Sequence, residues 1–237
     1  MASEKLLIMP LLIEKRSCSS NMIFVVVPAY NEEKKIGRVI RGLFEQGYKN
    51  IVVVDDGSTD RTAEIARQAG AVVLRHEVNR GQGAALQTGN EHALRAGAEI
   101  VVHFDADGQF NPADIRPAIE KLKDFDVVLG SRFLDSRSRI PWFKRHIVLP
   151  VSRWINFVFT RLKLTDVHNG FRVLSRKALE KLHISHDGMA HNSEIISQIR
   201  EHGLTFVEQP VEVTYYEYGQ GIGGGVKILW DLIVSKF

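Results

Sequence analysis

The chain has 237 residues, a formal net charge of +3 and 44% hydrophobic residues. That length suits one large α/β domain with a real core, and the charge is too mild to point to nucleic acid. The single cysteine, Cys18, excludes an internal disulfide and points to a reducing compartment, and no stretch reaches the roughly 18 uninterrupted apolar residues of a membrane span.

Residues 1–21 hold a short apolar run, Leu6 to Ile13, broken by Pro10. Its core is too short for a secretory signal, and the expectation is an N-terminal extension outside the fold. From Met22 the pattern is regular. Met22–Pro28 is a continuous apolar run, as a strand buried on both faces should be. Lys34–Phe44 has apolar residues at helical spacing with Gly47 just beyond. Ile51–Val54 is a second strand, and Thr59-Asp60 can cap a helix through Ala69. Ala71–Leu74, Ile100–Phe104 and Val127–Gly130 read as further strands. Gly83–Ala96 reads as a helix between them, and so does the segment from Pro112 to about Lys123. This alternation implies a mostly parallel sheet covered on both faces. After residue 131 it stops. Phe171–Leu174 reads as a strand, a short helix starts at Arg176, another spans His191–His202, and Val207–Tyr216 is a late strand. A glycine-rich hinge and an amphipathic segment fill 219–237, leaving 22–218 as the folded domain.

Ligands of open α/β sheets bind beyond the carboxyl ends of the strands. Polar clusters follow five strands in turn: Pro28-Ala29-Tyr30-Asn31-Glu32, Asp55-Asp56-Gly57-Ser58, Asn79-Arg80-Gly81, Asp105-Ala106-Asp107-Gly108-Gln109 and Ser131-Arg132. Alone, the second can be a turn and the third a helix cap. The fourth is harder to explain that way. Two carboxylates one residue apart at a buried strand end repel each other and lose hydration. A divalent cation relieves both costs, and hard oxygen ligands suit Mg2+ or Mn2+. Neither the dinucleotide fingerprint nor the GxxxxGK[ST] loop is present, so a metal must neutralise much of any diphosphate.

The stretches VVVPAYNEE (25–33), VVVDDGSTD (52–60), NRGQGAAL (79–86), DADGQ (105–109), GSRF (130–133) and NGFRVLSRKAL (169–179) together resemble family 2 glycosyltransferases of the GT-A fold. The likeness is nearest to dolichyl-phosphate mannose synthases and polyprenyl-phosphate glucosyltransferases. It implies a Rossmann-like three-layer fold and transfer of a hexose from UDP-glucose or GDP-mannose to a polyprenyl phosphate, with inversion at the anomeric carbon. Pro28, Tyr30, Glu32, Arg80 and Gly81 would line the nucleotide pocket, with Asp56 reading the base. Asp105 would contact the donor, and Asp107 with Gln109 would ligate the metal. Arg132, Arg145 and Arg172 would face the acceptor phosphate, which suits the guanidinium fork.

A phosphate acceptor is already anionic and needs no strong base. Glu194 can be read as a base for a hydroxyl acceptor instead, or as an acid in the first turn of a helix, where the dipole favours it. The helix reading is preferred. Residues 132–163 carry eight Lys and Arg against one acid, interleaved with Trp142, Phe143, Trp154, Phe157 and Phe159. Such a segment can lie in a membrane interface, form a core helix with a solvated face, or stack single-stranded nucleic acid. The diphosphate site disfavours the last. The expected setting is peripheral, on the cytoplasmic face of a membrane, with a second copy or an anchor subunit as possible partners. A hydroxyl-acceptor glycosyltransferase, a nucleotidyltransferase and a non-catalytic nucleotide-sugar subunit are the competing readings.

Overall fold

The computed structural model describes residues 22–135, 137, 164–166, 169–188 and 190–214. The expected N-terminal extension, most of the basic aromatic segment with Arg145, and the glycine-rich C-terminal segment lie outside them.

The expected alternation is present. Strand β1 (Ile23–Ala29) is followed by helix α1 (Ile36–Glu45), β2 (Asn50–Asp55), α2 (Thr62–Gln68), β3 (Val72–Arg75), α3 (Gln82–Arg95) and β4 (Ile100–His103). A 3-10 turn (Pro112–Asp114) leads into α4 (Ile115–Lys121), and the Asn111 side chain caps that turn by accepting the Ala113 N–H at 3.0 Å. Then come β5 (Val127–Ser131), β6 (Arg172–Ser175), α5 (Arg176–Lys181), α6 (His191–Glu201) and β7 (Phe206–Pro210).

The strands form one sheet in the order β3-β2-β1-β4-β6-β5-β7. Side chains alternate across a strand, and here they divide into two cores. Val25, Val27, Ile51, Val53 and Val102 face Ile36, Ile40, Leu43 and Ile115, whereas Phe24, Val26, Val52 and Val101 face Leu86, Leu179, Ile195 and Ile199. Helices therefore cover both faces of an α/β, three-layer fold. At Gly89 an added Cβ would come within 2.3 Å of Val26 Cγ1, so α3 rests directly on β1.

Only β6, among the described strands, runs against its neighbours. It pairs antiparallel with β4 and with β5, while β5 and β7 are parallel. This reversal positions the site. The chain enters β6 at the rim where β4 leaves, with Arg172 opposite His103 and the Gly130 N–H bonded to Phe171 O at 2.9 Å. Residues 169–172 thus lie beside the acidic cluster.

The expected late strand is shorter. Pro210 has no N–H to continue a ladder, and the chain turns so that Val213 bridges Phe110 and the Thr214 N–H reaches Gln109 O at 2.9 Å.

Candidate active site

A pocket of about 380 Å³ opens at the carboxyl ends of β1, β2 and β4. Four of the five strand-end clusters line it, through Pro28, Tyr30, Glu32, Asp56, Asn79, Gly81, Asp105 and Asp107. Loop-to-loop hydrogen bonds explain the convergence. Asn31, in a left-handed conformation (φ 53°), accepts the Thr59 N–H at 2.9 Å, and its own N–H reaches Ser58 Oγ at 2.9 Å. The Glu32 N–H reaches Thr62 Oγ1 at 2.8 Å. Asp60 accepts the Thr62 N–H at 2.9 Å, which is the helix-start role expected of it.

Asp55 and Asp56 divide their work. Asp55 is fully buried; it closes the turn through the Ser58 N–H at 3.3 Å and faces Arg75 at 3.1 Å. Asp56 borders the pocket and accepts the backbone N–H groups of Arg80 and Gly81 at 3.0 and 2.7 Å. Arg80 reaches the site through its backbone, since its exposed guanidinium lies 4.0 Å from Asp187.

Asp105 and Asp107 sit on the pocket wall. Burial, and then the neighbouring charge of Asp107, raise the Asp105 pKa to about 6, against the pull of Arg172, Gln82 and Arg132. Gln82 Nε2 donates to Asp105 Oδ1 at 2.9 Å. Burial also raises Asp107, while the Gln109 N–H and the charge of Lys35 oppose it. The Gln109 N–H donates to Asp107 Oδ1 at 2.9 Å, but Gln109 lines a separate pocket of about 310 Å³ beside Arg38 and Glu212. Two carboxylates whose ionisation is held back are a fitting seat for a divalent cation. Among the described residues no group of three or more His, Cys, Asp or Glu could hold a metal. The fit is therefore to a metal that keeps waters and takes its remaining ligands from a bound diphosphate, as Mg2+ does.

Two of the arginines expected on the acceptor side have partners within the protein. Arg132 binds Asp166 through Nε and Nη2, both at 2.7 Å, and lies outside the pocket lining. Arg172 is only 1% exposed, and its Nη2 donates to Asn192 Oδ1. Burial lowers its pKa to about 10, while Asp105 and Asp166 favour its charge.

Several contributors escape sequence reasoning. Gly170 lies against Asp105, Gln82 holds it, and His76 links Asp56 to Thr88. Gln82 and Gly170 stand inside recognisable motifs, which is the one signal they give; His76 gives none.

Glu194 holds a loop. Burial opposes its ionisation, but the Ser185 hydroxyl and the N–H groups of His186 and Ser185 outweigh that and keep its pKa low. The anchored loop runs on to Asp187, whose carbonyl accepts the Gly83 N–H at 2.9 Å.

Behind Arg172 lie two buried imidazoles. His103 bonds Asn90 at 2.8 Å through Nε2, and His191 Nδ1 lies 2.7 Å from Gly188 O. Burial, then the charge of Arg172, holds His103 well below its ordinary value and brings His191 to about 4. Both stabilise the fold as neutral rings above the unfolded value of ~6.5 and lose that contribution as pH falls toward their folded values. Asp105, with its raised pKa, acts in the opposite direction, so the rings themselves must be followed. Their NMR signals should not titrate between about pH 8 and about pH 5; titration of either near neutrality would contradict this placement.

Residues 24–183 match the sequence pattern of glycosyl transferase family 2. The chain belongs to this family. It is 40% identical to MJ1222, an uncharacterized protein of Methanocaldococcus jannaschii, over 90% of this chain and 92% of that one. It is 32% identical to the UDP-N-acetylglucosamine–dolichyl-phosphate N-acetylglucosaminyltransferase of Methanococcus voltae, over 92% of this chain and 97% of that protein. A polyprenol monophosphomannose synthase of Mycolicibacterium smegmatis is 28% identical over 82% of this chain and 78% of its own length. Glucosyl-3-phosphoglycerate synthase from Mycobacterium tuberculosis, solved with Mn2+ and UDP-glucose, shares the fold with a TM-score of 0.62. That match has 21% identity and covers 90% of this chain and 78% of the other. The protein is thus a GT-A glycosyltransferase, and its enzyme class and fold agree with the sequence expectation.

Proposed function

We propose that this chain transfers a hexose, with inversion, from a nucleotide diphosphate sugar such as UDP-glucose or GDP-mannose to a polyprenyl phosphate, working peripherally at the cytoplasmic face of a membrane. Residues 22–218 form the catalytic unit of this reading. The observation that carries it is the pocket wall, where Asp105 and Asp107 line the same pocket as Asp56 with their ionisation held back. Asp107 would hold a divalent cation, with the Gln109 N–H fixing its carboxylate, and Asp105 would orient the donor sugar. When bound there, Mg2+ or Mn2+ supplies Lewis-acid stabilisation of the departing diphosphate. Pro28, Tyr30, Glu32 and Gly81 would enclose the nucleotide. Arg172 and Arg132 would supply positive charge on the acceptor side, with Arg145 joining them from the basic segment.

The acceptor half rests on the relatives named for dolichyl and polyprenol phosphate, and on Glu194. That carboxylate already accepts bonds from Ser185 and His186, so it is a poor base for a hydroxyl. No described helix is long and apolar enough to cross a membrane. Contact would then fall to the basic aromatic segment.

The test is transfer of labelled sugar from each donor, with Mn2+, to a polyprenyl phosphate and in parallel to hydroxyl acceptors. Label should enter the lipid fraction with an inverted anomeric centre and release of nucleoside diphosphate. Pyrophosphate release or retention would refute the reading. Glu194→Gln should raise KM through the loop and leave kcat within a few fold. Loss of a general base would instead lower kcat by ~100-fold or more, and that result would favour a hydroxyl acceptor.

A further inference from the structure

Arg172 and His103 stand directly opposite each other on antiparallel β6 and β4, two residues from the paired Leu174 and Val101. Their side chains therefore leave the sheet on the face covered by α3 and α6. Asn90 of α3 bonds the His103 ring, and Asn192 of α6 accepts from Arg172 Nη2. His191 precedes Asn192, and the charge of Arg172 acts on both rings. Among the described residues, five buried side-chain polar atoms have no hydrogen-bond partner. One of them, Asp55 Oδ2, still faces Arg75 Nε at 3.1 Å. The other four all belong to this cluster: Arg172 Nη1, Asn90 Nδ2, His103 Nδ1 and His191 Nε2. Buried polar atoms in folded proteins almost always find a partner, protein or water, so four together need an explanation.

Their chemistry is complementary. A carbonyl only accepts, so the hydrogen between His191 Nδ1 and Gly188 O sits on the ring, and Nε2 is bare. The Asn90 amide oxygen likewise accepts from His103 Nε2, which leaves Nδ1 bare. The cluster thus holds two unused donors, on Arg172 and Asn90, and two unused acceptors, on the histidines. Turning the Asn90 amide over exchanges the roles of Asn90 and His103 and keeps the count at two and two. One water molecule accepts two hydrogens and donates two, and so matches all four atoms. An anion would meet the bare ring nitrogens, and a metal cation would meet the guanidinium.

We propose that Arg172, Asn90, His103 and His191 bind one buried water molecule, and that through it the two histidines are positioning residues for Arg172. The functional half of this inference rests on the reading of Arg172 as an acceptor-side charge. Asn192 holds Nη2 and the water holds Nη1, so both arms of the guanidinium fork are fixed. That matters because the charge of Arg172 acts on Asp105. A guanidinium held by one arm keeps its charge and loses its placement. The histidines touch neither donor nor acceptor in this scheme; they act through Arg172.

A crystal structure of the full chain that shows ordered water tests the site directly. One water should lie about 2.7–3.2 Å from all four atoms. A direct bond from Nη1 to either ring, or a dry cluster, overturns the proposal. Kinetics test the positioning role. His103→Phe keeps a ring and removes both nitrogens. It should lower kcat for transfer to polyprenyl phosphate about tenfold, with nucleotide-sugar affinity measured by titration unchanged. His103→Gln, whose amide can donate to Asn90 and accept from the water, should restore most of the rate. In an Arg172→Gln background, His103→Phe should cost no more than about twofold, because the two act as one unit. An equal loss in both backgrounds shows a role independent of Arg172 and overturns the inference. A wild-type rate in Arg172→Gln would instead refute the acceptor-side reading of Arg172 and leave the water site standing. The crystallographic test holds even where His103→Phe does not fold.

Discussion

Asp107→Ala should lower transfer by about a thousandfold without lowering the melting temperature of the metal-free protein. Both halves follow from the same electrostatics. Asp107 is a carboxylate whose charge the fold disfavours, and its charge in turn raises the pKa of Asp105. Removing it takes away one of two repelling groups and breaks only bonds from the backbone N–H groups of Gln109 and of Asp107 itself. Catalysis loses more. Charge stabilisation at a departing diphosphate is worth several kcal/mol, and each ~1.4 kcal/mol is tenfold in rate. With Asp107 gone, Asp105 is the one carboxylate of the pair left to the cation. The check is a pair of measurements, initial rates at saturating Mn2+ and calorimetric unfolding without metal. Activity within tenfold of wild type would mean that Asp107 does not hold the cation. A collapsed melting temperature would mean that Asp107 is structural.

The strand–helix alternation is legible in the sequence because each strand of a doubly covered sheet must be apolar on both faces. Met22–Pro28 and Ile51–Val54 advertise that requirement directly. The site is legible for a related reason. A polar cluster directly after such a run has nowhere to go but the rim, and four of the clusters do meet there. The fifth cluster shows the limit. Arg132 is identifiable as a charge, yet its partner Asp166 lies far along the chain, and only the folded β5–β6 edge brings them to 2.7 Å.

The same limit applies to the acidic cluster. Asp105 and Asp107 are adjacent in sequence and visible at once, whereas Gln82, Arg172 and Gly170 reach Asp105 only through tertiary structure. Strand direction is decisive here. Periodicity gives no sign that β6 runs antiparallel, so nothing in the pattern says that residues 169–172 share a rim with residue 105. His76 is less visible still. It reads as part of a loop, and its importance depends on the separation between Asp56 on one side and Thr88 of α3 on the other. Asp60 and Pro112 are the opposite case. Their roles are local to the chain, and they act at helix starts as the sequence implies.

Gly170→Ala should cost about a hundredfold in kcat while the protein stays folded. An ideal Cβ at this position would lie 2.4 Å from Asp105 Oδ2 and 2.7 Å from Oδ1, closer than carbon and oxygen can approach. The glycine is not in a left-handed conformation, so alanine strains no backbone there. The clash is relieved most easily by the Asp105 side chain, which is held by one bond from Gln82 and by the charge of Arg172. A carboxylate that orients a reacting group is intolerant of such movement, since a misplacement of ~1 Å can cost ~100-fold in rate. Because the pocket wall formed by Pro28, Tyr30 and Asp56 is untouched, nucleotide affinity measured by titration should change far less than kcat. Gly188→Ala is the matched control, because nothing lies within 4 Å of a Cβ placed there. Wild-type kcat in Gly170→Ala would show that Asp105 does not need its present position, and would remove it from the donor-orienting role.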